Sequence, residues 1–220
     1  MQIAIANILT SDELSFVQAR VKAARFVDGK ATAGFAARLV KNNEQAAASD
    51  TSLSEVRKLV SERILANDLF RMAARPKQLT PLLISRYELG MTYGSHVDDA
   101  LMQGLRTDVS FTLFLDDPAS YDGGELIIET TAGEDSIKLM AGSLIAYPST
   151  SLHRVAEVTR GQRHVIVGWA RSFIRDAAQR ELLFDLDTAR RQLFNRDGKS
   201  AEFDLISKSL ANLLRMWAED

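Results

Sequence analysis

Residues 143–171 read SLIAYPSTSLHRVAEVTRGQRHVIVGWAR, and the way this stretch divides decides the fold. Three runs rich in β-branched and aromatic residues, Ser143 to Tyr147, Leu152 to Val158 and Arg163 to Arg171, are separated by short Pro-, Ser- and Gly-containing breaks. Runs of that length without a 3.6-residue period are strands. Working outward, the same pattern recurs at Leu82 to Glu88, Val109 to Leu115, Glu125 to Glu129 and Ser136 to Leu139, with Asp122-Gly123-Gly124 and Ala141-Gly142 as turns. No helical stretch lies between these strands to make parallel crossovers. Short strands at near-regular spacing therefore predict an antiparallel sandwich or jelly roll.

On either side the period becomes helical. Thr10 with Glu13 and Ser52 with Glu55 have capping-box spacing, and Leu53, Val56, Val60 and Ile64 form one apolar stripe. Lys41 to Asp50, polar and Ala-rich, reads as loop or frayed helix. Beyond Ile174 come Leu182, Leu183, Leu186 and Leu193, then Leu205, Ile206, Leu210, Leu213, Leu214 and Trp217. The last helix reads as packed on its own sheet, with a homodimer interface as the alternative. The expected layout is an N-terminal helical support (1–77), a β domain (78–175) and a C-terminal helical extension (176–220).

Composition limits what such a chain does. Its 220 residues are 46% hydrophobic and 25% charged, enough for a buried core, and its formal charge of -2 offers no broad basic surface for nucleic acid. The absence of cysteine excludes disulfides, thiolate metal sites and a cysteine nucleophile. The apolar stretch Ile3 to Leu9 is too short for a membrane span and lacks the basic flank of a secretory signal, so a cytoplasmic location is expected.

Any metal must therefore be held by His, Asp or Glu, and the chain has three histidines, His96, His153 and His164. His96 and Asp98 stand two apart, so in an extended segment both side chains reach one point. A distant strand can bring His153 to the same point. Two imidazoles and one carboxylate on one face of an octahedral metal leave three positions open, the arrangement of non-haem Fe(II) oxygenases. Arg163 opens an apolar strand, an expensive place for a guanidinium unless it meets an anion. A 2-oxo acid whose far carboxylate reaches Arg163 would fit such a site; the alternatives are an internal ion pair with Asp or Glu and a strand-end arginine in solvent. His164 faces the opposite way along the strand and reads as structural.

Taken together, Arg86-Tyr87-x-x-Gly90-x-x-Tyr93-x-x-His96-x-Asp98, Tyr121-Asp122-Gly123-Gly124-Glu125-Leu126 and His153-Arg154-Val155, followed by Val158-Thr159-Arg160-Gly161-x-Arg163, resemble the bacterial PKHD-type hydroxylases. These are Fe(II)- and 2-oxoglutarate-dependent dioxygenases near the prolyl hydroxylases, and the resemblance covers Thr80 to Arg175, with a C-terminal segment that also looks like the family's tail. It implies a double-stranded β-helix (jelly roll) core, and hydroxylation of a C–H bond coupled to decarboxylation of 2-oxoglutarate to succinate. It further implies His96, Asp98 and His153 as iron ligands, Arg163 as the partner of the distal carboxylate, and Tyr87 facing the cosubstrate. Trp169 would wall the pocket, and ascorbate would serve as reductant. Prolyl hydroxylases carry a second tyrosine where this chain has Phe114, which leaves Thr112 as the expected substitute. A siderophore or other small metabolite, linked to iron uptake, is the implied substrate class in preference to a protein side chain. A non-catalytic iron and 2-oxoglutarate sensor, and a zinc hydrolase using the same ligands, are the competing readings.

Overall fold

A computed structural model describes residues 1–47 and 49–220. Its β elements form two main antiparallel sheets. The larger runs Ile3–Ile5, Leu144–Pro148, Val109–Phe114, Arg163–Ser172, Leu83–Tyr87, Glu44–Ala46 and Phe26–Asp28, with Pro76–Leu79 pairing the far end of Arg163–Ser172. The smaller runs Gly133–Ile137, Leu126–Thr130, His153–Val155, Thr92–His96 and Lys41–Asn42. Their inner faces share one apolar cluster: Tyr87, Phe114, Ile145 and Val165 from the larger sheet meet Leu126, Ile128 and Val155 from the smaller. This is the expected jelly roll.

Among the described residues six α-helices flank it: α1 (Ser11–Lys22), α2 (Ala37–Val40), α3 (Ser54–Ala66), α4 (Asp68–Ala74), α5 (Ala177–Asp197) and α6 (Ala201–Trp217). The stripe Leu53, Val56, Val60 and Ile64 is fully buried against Ile84, Phe111, Leu113 and Ile166 on the outer face of the larger sheet. Alternation along Val109–Phe114 thus feeds two cores, with Phe111 and Leu113 toward the helices and Phe114 toward the smaller sheet. No helix among the described residues is long and apolar enough to cross a membrane.

Several expectations change. Lys41 to Asp50 is not loop or frayed helix: Lys41–Asn42 and Glu44–Ala46 are edge strands of different sheets, too short and polar for a period-2 pattern to show, while Ala48 lies outside the described residues. Thr10 and Glu13 do form a capping box, but Ser52 does not start α3. Its backbone N–H and hydroxyl both turn back to Asp50, which caps a 3-10 turn (Thr51–Leu53) instead. Within Asp122-Gly123-Gly124, Asp122–Gly123 is a two-residue strand with a bulge, paired to Val158–Arg160, rather than part of a simple turn. The last helix packs on α5, not on a sheet, joining Leu210, Leu213 and Trp217 to Leu183 and Ile174.

Candidate metal centre and cosubstrate pocket

Thr92–His96 and His153–Val155 are antiparallel neighbours, and His153 stands directly opposite His96 in their register. Cross-strand pairing therefore joins two residues far apart in sequence. Asp98 follows two residues beyond the strand end, and one ligand atom from each of His96, Asp98 and His153 lies within 4.8 Å of the others. The imidazole Nε2 of His153 is 3.9 Å from Asp98 Oδ2.

Both rings are oriented from behind. His96 Nδ1 lies 2.8 Å from the Gly94 carbonyl and His153 Nδ1 lies 3.1 Å from the Ser151 carbonyl. Each Nδ1 is thus committed as a donor, which leaves Nε2 as the free lone pair. Burial, helped by the neighbouring His153, holds the His96 pKa down to about 4, so its ring is neutral at ordinary pH and fit to ligate. Tyr93 stacks on His96 with ring centroids 3.7 Å apart. Asp98 accepts a 2.6 Å hydrogen bond from the Ser110 hydroxyl, itself 2.8 Å from Ser149. Two serines thereby fix the carboxylate that faces the imidazoles.

Arg163 lies in the same cavity as the triad. It is 1% exposed, yet no carboxylate of the described residues stands within ion-pair distance, and its Nε and one terminal nitrogen have no hydrogen-bond partner. The guanidinium instead lies over the rings of Tyr87, at 5.0 Å, and Phe114, at 5.5 Å. The internal ion pair is therefore ruled out among the described residues, and a buried fork of unused donors remains, suited to a carboxylate. Gly124, at φ +68°, lets the chain pass this side chain; a Cβ there would lie 2.9 Å from Arg163 Cδ.

The other expected residues divide. Tyr87 pairs with Arg163 in register and lines the cavity, and burial pushes its phenol pKa up. Trp169 also lines it, with its indole N–H buried and unpartnered. Phe114 packs against the guanidinium but does not line the cavity, whereas Thr112 does. Beside Thr112 stands Tyr147, a buried cavity residue from the adjacent strand that the sequence reading missed. His164 is buried on the other side and bonded to Asp116 at 2.9 Å, a structural role.

Ser110, Lys41 and Asn43 were also missed. For Ser110 the signal was available: Ser110 and Thr112 are polar at alternate positions in the otherwise apolar run VSFTLF. Lys41 and Asn43 carried no signal, because the segment did not read as strand. Both are buried in the cavity wall, and burial pulls the Lys41 ammonium down to about 8 against the opposing pull of Asp98 and Asp28.

The profile of the 2OG-Fe(II) oxygenase superfamily matches residues 82–171, and that of the PKHD-type hydroxylase C-terminal domain matches residues 177–219. A PKHD-type hydroxylase of Picosynechococcus is 54% identical over 98% of each chain, and one of Acaryochloris marina is 54% identical over the whole of both. Among solved structures, a Pseudomonas putida prolyl-4-hydroxylase aligns with TM-score 0.56 at 20% identity, covering 78% of this chain and 92% of that one. A Trichoplax adhaerens prolyl hydroxylase, solved with a hypoxia inducible factor peptide fragment, gives 0.61 at 16% identity, covering 82% and 86%. These two show the shared fold. The full-length relatives and both profiles show the family: the chain is an oxygenase and belongs to the PKHD-type hydroxylases of the Fe(II)- and 2-oxoglutarate-dependent superfamily.

Proposed function

We propose that this protein hydroxylates a C–H bond of a small molecule, with Fe(II) held by His96, Asp98 and His153 and with the distal carboxylate of 2-oxoglutarate on Arg163. The observation that carries this reading is the buried, acid-free Arg163 in a cavity that also holds two imidazoles and a carboxylate. The donor set fits Fe(II), which keeps positions open beside a facial two-histidine, one-carboxylate set. The iron and its cosubstrate supply the oxidising power when bound; the protein's part is binding, orientation and exclusion of water.

Each side chain then has a task. Gly94 and Ser151 hold the imidazoles in their ligating tautomer, and Ser110 keeps Asp98 in place. Arg163 presents its unused donors to the distal carboxylate, with the Tyr87 and Thr112 hydroxyls as neighbours in the cavity. Thr112 and the adjacent Tyr147 take the place of the tyrosine that Phe114 replaces. Thr32, Ala33, Gly34 and Ala37 line one side of the cavity, and the preference for a siderophore or other metabolite, linked to iron uptake, over a protein side chain rests on the family likeness. A cytoplasmic location and ascorbate as reductant rest on the family likeness. A homodimer through α5 and α6 is the accompanying reading, supported by the exposed Phe194, Leu205 and Met216 on that hairpin and checked by sedimentation of the full chain.

The test is anaerobic. Fe(II) and then 2-oxoglutarate are added to the metal-free protein, and the visible charge-transfer band of a chelated keto acid is recorded. The expected band disappears in His153→Ala and needs far more 2-oxoglutarate in Arg163→Ala. Bound iron without any band would remove 2-oxoglutarate from the assignment and favour the hydrolytic reading. A band with no succinate formed from any substrate would favour the sensor.

A further inference from the structure

The cavity contains a second buried cation that the cosubstrate does not need. Lys41 is 4% exposed, and no carboxylate of the described residues lies within ion-pair distance of its ammonium. Its Nζ donates to the Thr32 hydroxyl at 2.9 Å and lies 5.1 Å from the centre of the Tyr93 ring. Thr32 in turn donates to Gln45 at 2.6 Å, so the hydroxyl is fixed as an acceptor toward Lys41. An ammonium has three donors, and these contacts leave at least one unused. Asp28, one of two acids whose charge reaches Lys41, is occupied in capping the Gly29–Thr32 turn. The other is Asp98, already taken by Ser110 and the triad.

Charge then decides what Lys41 awaits. With Fe(II) and the 2-oxoglutarate dianion in place, the metal, the cosubstrate, Asp98 and Arg163 neutralise one another. Lys41 is left without a direct anionic partner, since Asp28 and the cavity-lining Asp99 make no ion pair with it, and a buried ammonium so placed favours an incoming anion. One further unpartnered polar atom belongs to a residue of the same cavity lining, the indole N–H of Trp169.

We propose that Lys41, positioned by Thr32, is the anchor for a carboxylate on the substrate, so that the molecule hydroxylated is a small polar acid. This rests on the functional reading above and narrows it: Arg163 receives the acid of the cosubstrate and Lys41 the acid of the substrate. The Trp169 indole N–H is then free to meet another polar group of the substrate.

The probe is acetate, with acetamide as its neutral counterpart, titrated calorimetrically into the Fe(II)- and 2-oxoglutarate-loaded protein without oxygen. Acetate is expected to bind saturably, acetamide much more weakly, and Lys41→Met to weaken acetate by about tenfold or more, as loss of one buried charged partner should. Lys41→Arg should restore part of the affinity, and Thr32→Val, which leaves the ammonium in place but unpositioned, should weaken it less than Lys41→Met. In Lys41→Met the 2-oxoglutarate affinity read from the charge-transfer band should stay within about twofold of the parent, since charge-assisted contacts elsewhere are untouched. Acetate binding that is absent, or that persists unchanged in Lys41→Met through coordination to the metal, overturns the assignment. So does a 2-oxoglutarate affinity that falls in Lys41→Met as far as in Arg163→Ala, because Lys41 would then serve the cosubstrate. Should the parent protein show no band at all, the functional reading fails on its own. The acetate titration of metal-free Arg163→Met protein still tests Lys41 in that case.

Discussion

Arg163 and Arg180 are almost equally buried, at 1% and 5% exposure, and they differ in what their guanidinium groups touch. Arg180, near the start of α5, spends its donors on the carbonyls of Ile174, Arg175 and Asp108, at 2.8, 2.8 and 3.3 Å. It ties the C-terminal helices to the end of the Arg163–Ser172 strand and to the loop before Val109. Arg163, at the other end of that same strand, has aromatic faces around it and no acid. Burial alone therefore does not separate the two cations; the fate of their donors does. Arg75 stands between them, paired with Asp187 at 3.2 Å but with its Nε unpartnered.

The largest expected effect leaves both arginines intact. Asp98→Ala should reduce succinate formation by at least about a hundredfold and abolish tight iron binding, since removing a ligand costs more than disturbing its support. Undiminished turnover would remove Asp98 from the mechanism.

The arginine pair should then give opposite results. Arg163→Met is expected to weaken 2-oxoglutarate binding by about two orders of magnitude, while the ligand-free protein stays as stable or gains up to about 2 kcal/mol, because an uncompensated buried charge is gone. Arg180→Met should lose about 2–3 kcal/mol in chemical denaturation and leave 2-oxoglutarate affinity unchanged, since three carbonyls lose a charged donor. If both variants lose stability alike, Arg163 is a structural residue and the comparison collapses.

A smaller effect is expected at Ser110→Ala, where iron affinity should drop by about tenfold through loss of the support to Asp98. Metal competition with a chromophoric chelator would read it.

The smallest belongs to the Arg75 side of the comparison. Burial alone would raise the Asp187 pKa, but Arg190, Arg75 and Arg191 together outweigh it and hold the carboxylate below its ordinary value. A depressed carboxylate contributes stability above its unfolded pKa of about 3.9, and that contribution disappears as pH falls through the lower folded value. Thermal midpoints below about pH 4 should therefore fall less steeply in Asp187→Asn than in the parent protein. Equal slopes would mean that the arginines do not act through this charge.

The sequence showed those parts of the molecule whose local pattern and tertiary role coincide. Leu53, Val56, Val60 and Ile64 form a stripe because α3 lies on a sheet, and Val109–Phe114 alternates because both its faces are covered. The three residues of the triad were legible as residue types at a spacing, and the register of two strands brings them together. What stayed hidden was made by long-range pairing. Thr92–His96 contains Gly94, whose missing Cβ makes room for Val40, so it has no strand-like pattern of its own. Lys41–Asn42 is a two-residue strand that exists only because Tyr93 and Thr92 pair with it. Tyr147 read only as the end of a strand, and the cavity beside it appears only once the two sheets face each other.

That two-residue strand has a consequence for how such an enzyme can change. The triad and Arg163 all fall within residues 82–171, whereas Thr32, Lys41 and Asn43 come from the preceding stretch, Lys41 by edge pairing with the strand that carries His96. On the proposed roles, reactivity and selectivity are written in separate passages of one chain, and mutations in the first fifty residues would redirect the enzyme to a new molecule without retuning the metal site.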